Sequence, residues 1–262
     1  MYSSHQYHKD LWEQFAKEDP LYSILSHPEA QGGRWDHHEF FETGEKLIYP
    51  EIDELVERYG FEEQSSVLDF GCGVGRLTRC FLRHFQTAVG VDVSQEMIAL
   101  AKEINPDADH IVFHDKSEPA LAFLDTESFD LVYSLITLQH IPRKLIFQFL
   151  ESLIRVTKVN GMLLLQIPSR ELHHINKPLN AGNPSFLKRE YRRVMRYLRP
   201  RIRSFRKQRG WYKKPYFLMT CVRIDEAVKF FREHGCQILR IRQDFSDSEN
   251  YESFDYLIRK IR

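Results

Sequence analysis

From Ser66 onward, short apolar and β-branched runs alternate with stretches of helical periodicity. Residues 67–70 read as a first strand and 76–85 as the helix behind it. Residues 88–93 make a second strand, and Ser94 caps a helix over Gln95–Ile104 with Met97, Leu100 and Ala101 on one face. Ile111–His114 is a third strand, a short helix follows near 120–124, and Phe129–Ser134 is a fourth strand. Pro142 suits the first turn of a helix running to Val156, and Asn160-Gly161 turns into a fifth strand, 162–167. Five such repeats with apolar strands imply a parallel sheet covered by helices on both faces, a doubly wound α/β fold.

The flanks differ in pattern. Trp12, Phe15 and Ala16 sit at helical spacing until Pro20 stops them. Ile48, Ile52, Leu55, Val56 and Tyr59 make a second stripe closed by Gly60. After Ile167 the alternation breaks for about fifty residues, punctuated by Pro168, Pro178, Pro184, Pro200 and Pro215. It resumes as a helix over 225–234 with Gly235 behind it, a strand over 237–242 and another over 251–259. No helix separates those two strands, so they should form an antiparallel hairpin at one edge of a seven-stranded sheet. The chain reads as one domain: a helical segment 1–60, a core 61–168, an insert 169–222, and the completion of the sheet, 223–262.

Composition changes this picture in one place. Hydrophobic residues make up 42% and charged residues 28%, enough apolar material for a sizeable core. The first residues lack a secretory h-region, and no apolar run approaches a membrane span, so a cytoplasmic protein is expected. Four cysteines without CxxC spacing read as buried free thiols, and the adjacent His37 and His38 as a loop or helix start without a metal. The formal net charge of zero hides a segregation: thirteen Lys/Arg and one acid, Glu190, lie between Lys188 and Lys214, leaving 24 basic against 36 acidic residues elsewhere. Segregated charge concerns partners more than fold.

The chemistry gathers where the first strand ends, at Asp69-Phe70-Gly71-Cys72-Gly73-Val74-Gly75. The spacing is G-x-G-x-G, one residue shorter than the dinucleotide fingerprint. An acid inside the strand end repels a pyrophosphate but suits a ligand carrying an ammonium and a sulfonium. Asp92 closes the second strand, where an acid accepts from both ribose hydroxyls, and Asp115 closes the third, placed to read an adenine edge.

These residues resemble the class I S-adenosylmethionine-dependent methyltransferases. Residues 67–75 look like their first motif, 91–97 their ribose-binding motif, 129–134 the fourth and 161–165 the fifth. The resemblance implies a Rossmann-like fold and S-adenosyl-L-methionine as cofactor. It places Asp69, Gly71, Gly73 and Gly75 at the methionine end, and Asp92 on the ribose. Val93 and Met97 fall beside the adenine, Asp115 on its amino group with Lys116 following, and Ser134 and Leu135 under the sulfonium. It also makes the N-terminal helices, with Tyr7, Trp12, Trp35 and His38, a lid over the crevice.

The acceptor is less defined. Ser134-Leu135-Ile136-Thr137 stands where enzymes of adenine-N6 and glutamine-N carry Asn/Asp-Pro-Pro-Tyr/Phe, and no cysteine lies beside it for a covalent pyrimidine mechanism. Asn183-Pro184-Ser185-Phe186 imitates that motif but follows the fifth strand. Methyl transfer to a hydroxyl oxygen of a glycan, lipid or secondary metabolite is the expectation, with His140 as candidate general base and His173 and His174 as weaker substrate-side candidates. In the insert, Tyr191, Val194, Met195, Leu198, Ile202 and Phe205 recur at near-helical spacing among arginines, with Pro200 interrupting them. That pattern reads as a docked helix, as recognition of an anionic acceptor, as peripheral membrane attachment, or as RNA binding in an RNA methyltransferase. No RNA-binding module accompanies it. A non-catalytic cofactor-binding protein is the remaining alternative.

Overall fold

The computed structural model describes residues 4–62, 64–106, 109–116, 118, 120–172, 219–244 and 251–262. Its strands are β1 (Ser66–Phe70), β2 (Thr87–Val91), β3 (Ile111–His114), β4 (Phe129–Ser134), β5 (Thr157–Glu171), β6 (Cys236–Asp244) and β7 (Tyr251–Lys260). They form one sheet in the order β3-β2-β1-β4-β5-β7-β6. The pairs β1–β2, β1–β4, β2–β3 and β4–β5 are parallel, whereas β6 and β7 are antiparallel at the edge, as the sequence pattern predicts. The chain divides into two units, 1–170 with 218–262, and 171–217. The basic stripe, His173 and His174 lie outside the described residues.

Successive strand residues enter opposite layers. Leu68, Val132 and Leu163 meet α5 (Ile146–Val156) and α6 (Ile224–Glu233) through Phe149, Leu150, Leu153 and Phe231. Val67, Leu131 and Leu164 meet α3 (His37–Tyr59) through Ile48, Ile52 and Leu55. α1 (Ser4–Glu18) and α2 (Pro20–Ile24) precede α3, and Ala16, Leu21, Phe40 and Phe41 join Met97 of α4 (Gln95–Ile104) in a smaller cluster. His37 and His38 are the exposed first turn of α3, capped by Asp36, whose carboxylate accepts from the Glu39 amide at 2.9 Å.

Several elements differ from the periodic expectation, some because of a distant contact. The segment after β1 is a 3-10 helix, Thr78–Arg83, where an α-helix over 76–85 was expected. The Asp69 carboxylate holds the Thr78 hydroxyl at 2.6 Å, and α3 presses on the turn so closely that a Cβ on Gly44 would come within 2.7 Å of the Arg76 carbonyl. Residues 120–124 form a turn, with Leu121 at φ +44°. The Arg155 guanidinium binds the carbonyls of Ala120, Leu121 and Leu124 at 3.2, 2.9 and 3.0 Å and so fixes that turn. α5 starts at Ile146, four residues after Pro142, because the Leu145 amide folds back to the Pro142 carbonyl at 2.7 Å. Asn160-Gly161 lies inside β5 as a bulge, Asn160 at φ +66°, where the register with β4 shifts. Cys72, Cys80 and Cys236 are buried free thiols, while Cys221 is partly exposed.

Leu153 is fully buried between α5 and the sheet. Leu153→Ala should therefore lower unfolding free energy by about 2–5 kcal/mol, measured by urea denaturation. A loss below about 1 kcal/mol would show that this layer repacks around the gap.

Candidate functional site

The connections from β1 run through β2 to β3 on one side, then cross back to β4 on the other. This reversal opens a crevice at the carboxyl ends of β1 and β4, the place where open α/β sheets take ligands. The glycine turn lies at its floor, at the end of β1. Gly71, Gly73 and Gly75 have φ of +86°, +54° and +81°, and the Gly71 and Cys72 amides both donate to the Val91 carbonyl, at 2.7 and 3.1 Å. A Cβ on Gly71 would lie 2.0 Å from the Thr137 hydroxyl, so both backbone conformation and space demand glycine there.

Three acids close the neighbouring strands. The half-buried Asp92 accepts from the amides of Gly73 at 2.9 Å and Ser94 at 3.0 Å. Burial pushes its pKa up, those amides and that of Val93 oppose the rise, and Glu13 adds to it. Asp69 is buried beside it and accepts from the Thr78 hydroxyl. Burial raises its pKa to about 7 against Thr78 and the Arg76 cation, with Asp92 adding to the rise. Asp115 is half-buried past β3, with Lys116 exposed behind it and Val93 half-buried past β2. Met97 is only 2% exposed, packed among Ala16, Phe40 and Val74.

The segment after β4 forms the other wall. Ser134 is buried and donates to the Phe70 carbonyl at 2.9 Å, tying β4 to β1. Leu135 follows, half-buried, and Ile136 sits at φ +54°, a strained conformation for a β-branched residue. Its amide is held by the buried Gln166 side chain at 2.8 Å. Thr137 then leads into a 3-10 turn, Leu138–His140. His140 is half-buried, with its Nε2 3.4 Å from the side-chain Nε2 of Gln139. The turn is clasped by Thr220, whose amide donates to the Gln139 carbonyl at 2.7 Å and whose hydroxyl donates to the Ile141 carbonyl at 2.6 Å.

The N-terminal candidates divide. The Trp12 ring meets His140 edge-on, centroids 5.2 Å apart. Trp35 donates to the Leu25 carbonyl at 3.0 Å and packs on Phe40, within the small cluster. Tyr7 and His38 are exposed. Sequence reasoning passed over Thr137, Glu13 and Gln166. Only Gln166 carried a visible mark, a polar residue inside an apolar strand. Among the described residues no group of three or more His, Cys, Asp and Glu could hold a metal ion. The arrangement suits another kind of ligand: a carboxylate oriented by two amides offers acceptors to vicinal hydroxyls, and two neighbouring acids whose pKa values are both raised favour a cation.

Residues 67–161 match the model of a family described as a methyltransferase domain. Trans-aconitate 2-methyltransferase of Enterobacter sp. is 29% identical over 136 residues, 51% of each chain. The 2-methyl-6-phytyl-1,4-hydroquinone methyltransferase of Synechocystis sp. is 33% identical over 102 residues, covering 38% of this chain and 31% of that one. The chain thus spans about half, or less, of the length of these curated relatives. The magnesium protoporphyrin IX methyltransferase of Synechocystis, solved with bound SAH, superposes with a TM-score of 0.59 over 97% of this chain and 99% of that one, at 16% identity, a likeness of fold.

Asp69 makes the site pH-sensitive. Its carboxyl holds a proton to about pH 7 in the fold against an ordinary value of 3.8, so the folded state binds the proton more tightly than the unfolded chain. Stability therefore falls as pH rises through this window and levels off above it. Asp69→Asn keeps an oxygen for the Thr78 hydroxyl but cannot titrate. Its stability relative to wild type should rise by a few kcal/mol, at about 1.4 kcal/mol per unit, between pH 4 and 8 in urea denaturation. Parallel profiles for the two proteins would remove the assigned protonation.

Proposed function

We propose that this chain, a member of the class I S-adenosylmethionine-dependent methyltransferases, transfers a methyl group to a hydroxyl oxygen of a small or medium anionic acceptor. The observation that carries the reading is Asp92, fixed by the Gly73 and Ser94 amides beside the switch-point crevice, with a candidate base, His140, on the opposite wall. The bound cofactor supplies a methyl group already activated on a sulfonium. The protein's task is then to bind, align and exclude water. Asp92 accepts from the ribose hydroxyls, and the side-chain-free turn at Gly71 and Gly73 lets the backbone approach the methionine end. Asp92 offsets positive charge, joined by Asp69 once its proton has left, and Asp115 lies along the same edge of the sheet for the adenine. His140 takes the hydroxyl proton of the acceptor on a ring nitrogen, while Trp12 covers it from the N-terminal side.

The thirteen Lys/Arg between Lys188 and Lys214 support an anionic acceptor. Relatives named for trans-aconitate and for a phytyl hydroquinone support a small one. Transfer of labelled methyl to a panel of paired neutral and anionic hydroxyl compounds tests this reading. Turnover should favour the anionic member of a pair, with an advantage that shrinks as salt rises. His140→Ala should lower kcat about 10²–10⁴-fold while cofactor affinity holds. Asp92→Ala should weaken S-adenosylmethionine binding at least about tenfold by calorimetry. Binding without transfer to any acceptor would favour the non-catalytic alternative, and an unchanged Asp92→Ala affinity would remove the cofactor assignment.

A further inference from the structure

α1 crosses the crevice from wall to wall. Trp12 reaches the His140 ring after β4, and the next residue, Glu13, reaches the start of α4 after β2. β2 and β4 are the two neighbours of β1, so their ends stand about 10 Å apart, close to the width of a helix with its side chains. The glycine turn at the end of β1 lies between those two anchors. α2 follows α1 over it, and a Cβ on Gly73 would meet Ile24 at 2.7 Å.

The polar anchor is well built. The Glu13 carboxylate accepts from the Ser94 hydroxyl at 2.8 Å and from the Gln95 and Glu96 amides at 2.7 and 3.2 Å. Ser94 is fully buried and its own oxygen accepts from the Met97 amide at 3.2 Å. The free amides at the start of α4 are thus shared between its own cap and an acid some eighty residues away in sequence. These are charge-assisted bonds to a helix N-terminus, where a carboxylate is favoured. One turn along α1, Lys17 pairs with Glu96 at 3.3 Å. Glu13 is half-buried, so water can replace these bonds when the helix lifts.

We propose that Glu13 is a positioning residue: its carboxylate latches α1 across the crevice, holds Trp12 against His140, and must let go before cofactor enters or leaves. This inference rests on the crevice being the cofactor site. Stopped-flow binding and displacement of S-adenosylhomocysteine tests it on the full chain. Glu13→Ala should speed dissociation about tenfold or more without slowing association. Glu13→Gln, which keeps an accepting oxygen but loses the charge, should fall between Glu13→Ala and wild type. Dissociation at the wild-type rate in Glu13→Ala overturns the latch and leaves the cofactor site standing, as does an affinity loss due wholly to slower association with a lowered melting point. Failure of the wild-type chain to bind S-adenosylhomocysteine is a separate outcome that removes the site itself and the latch with it.

Discussion

The carboxylate of Asp92 is the constraint on which the crevice depends. It takes the Gly73 amide on one oxygen and the Ser94 amide on the other, so the glycine turn after β1 and the start of α4 after β2 share one anchor. A carboxylate partly withdrawn from water is costly unless hydrogen-bonded, and two backbone amides offset that cost while fixing the acid's direction. Everything nearby inherits this geometry. Ser94, placed by it, caps α4 and receives Glu13, and Gly73, placed by it, meets Ile24.

The parallel half of the sheet was legible because its central strands, β1 and β4, are buried almost throughout and therefore read as continuous apolar runs. β3 and β4 coincide with the pattern to the residue, and the Ser94 cap is where the spacing puts it. Two of the elements that departed share another cause. The 3-10 helix after the glycine turn answers to Asp69 and α3, and the turn at Leu121 to Arg155, more than thirty residues away. Local propensity carries no record of such bonds. β5 runs past the Asn160-Gly161 punctuation because pairing with β4 on either side outweighs one residue at positive φ.

The site divides along the same line. Gly71, Gly73 and Asp92, which the sequence singles out, lie close together along the chain and meet at the turn after β1. What spacing does not convey is the state of those residues. Asp69 spends an oxygen on Thr78 and keeps its proton to about pH 7, and Met97 packs into a cluster with the N-terminal helices. Trp35 is likewise spent, its indole on the Leu25 carbonyl.

The wall after β4 is assembled from further away. Ile136 holds a strained backbone between Ser134 and the His140 turn, and such strain persists only where the surroundings over-determine it. Here they do. Gln166 binds its amide from β5, Thr220 clasps the two carbonyls flanking His140, and Thr137 closes on Gly71. Thr220 also stands where the chain returns from the basic segment, two residues before the Val222 amide meets the Pro168 carbonyl at 2.8 Å. The turn that carries His140 is therefore fastened to residues 220–222 and, through them, to the end of β5. Nothing in the sequence marks Thr220 for this part, because its bonds to the His140 turn join residues about eighty positions apart.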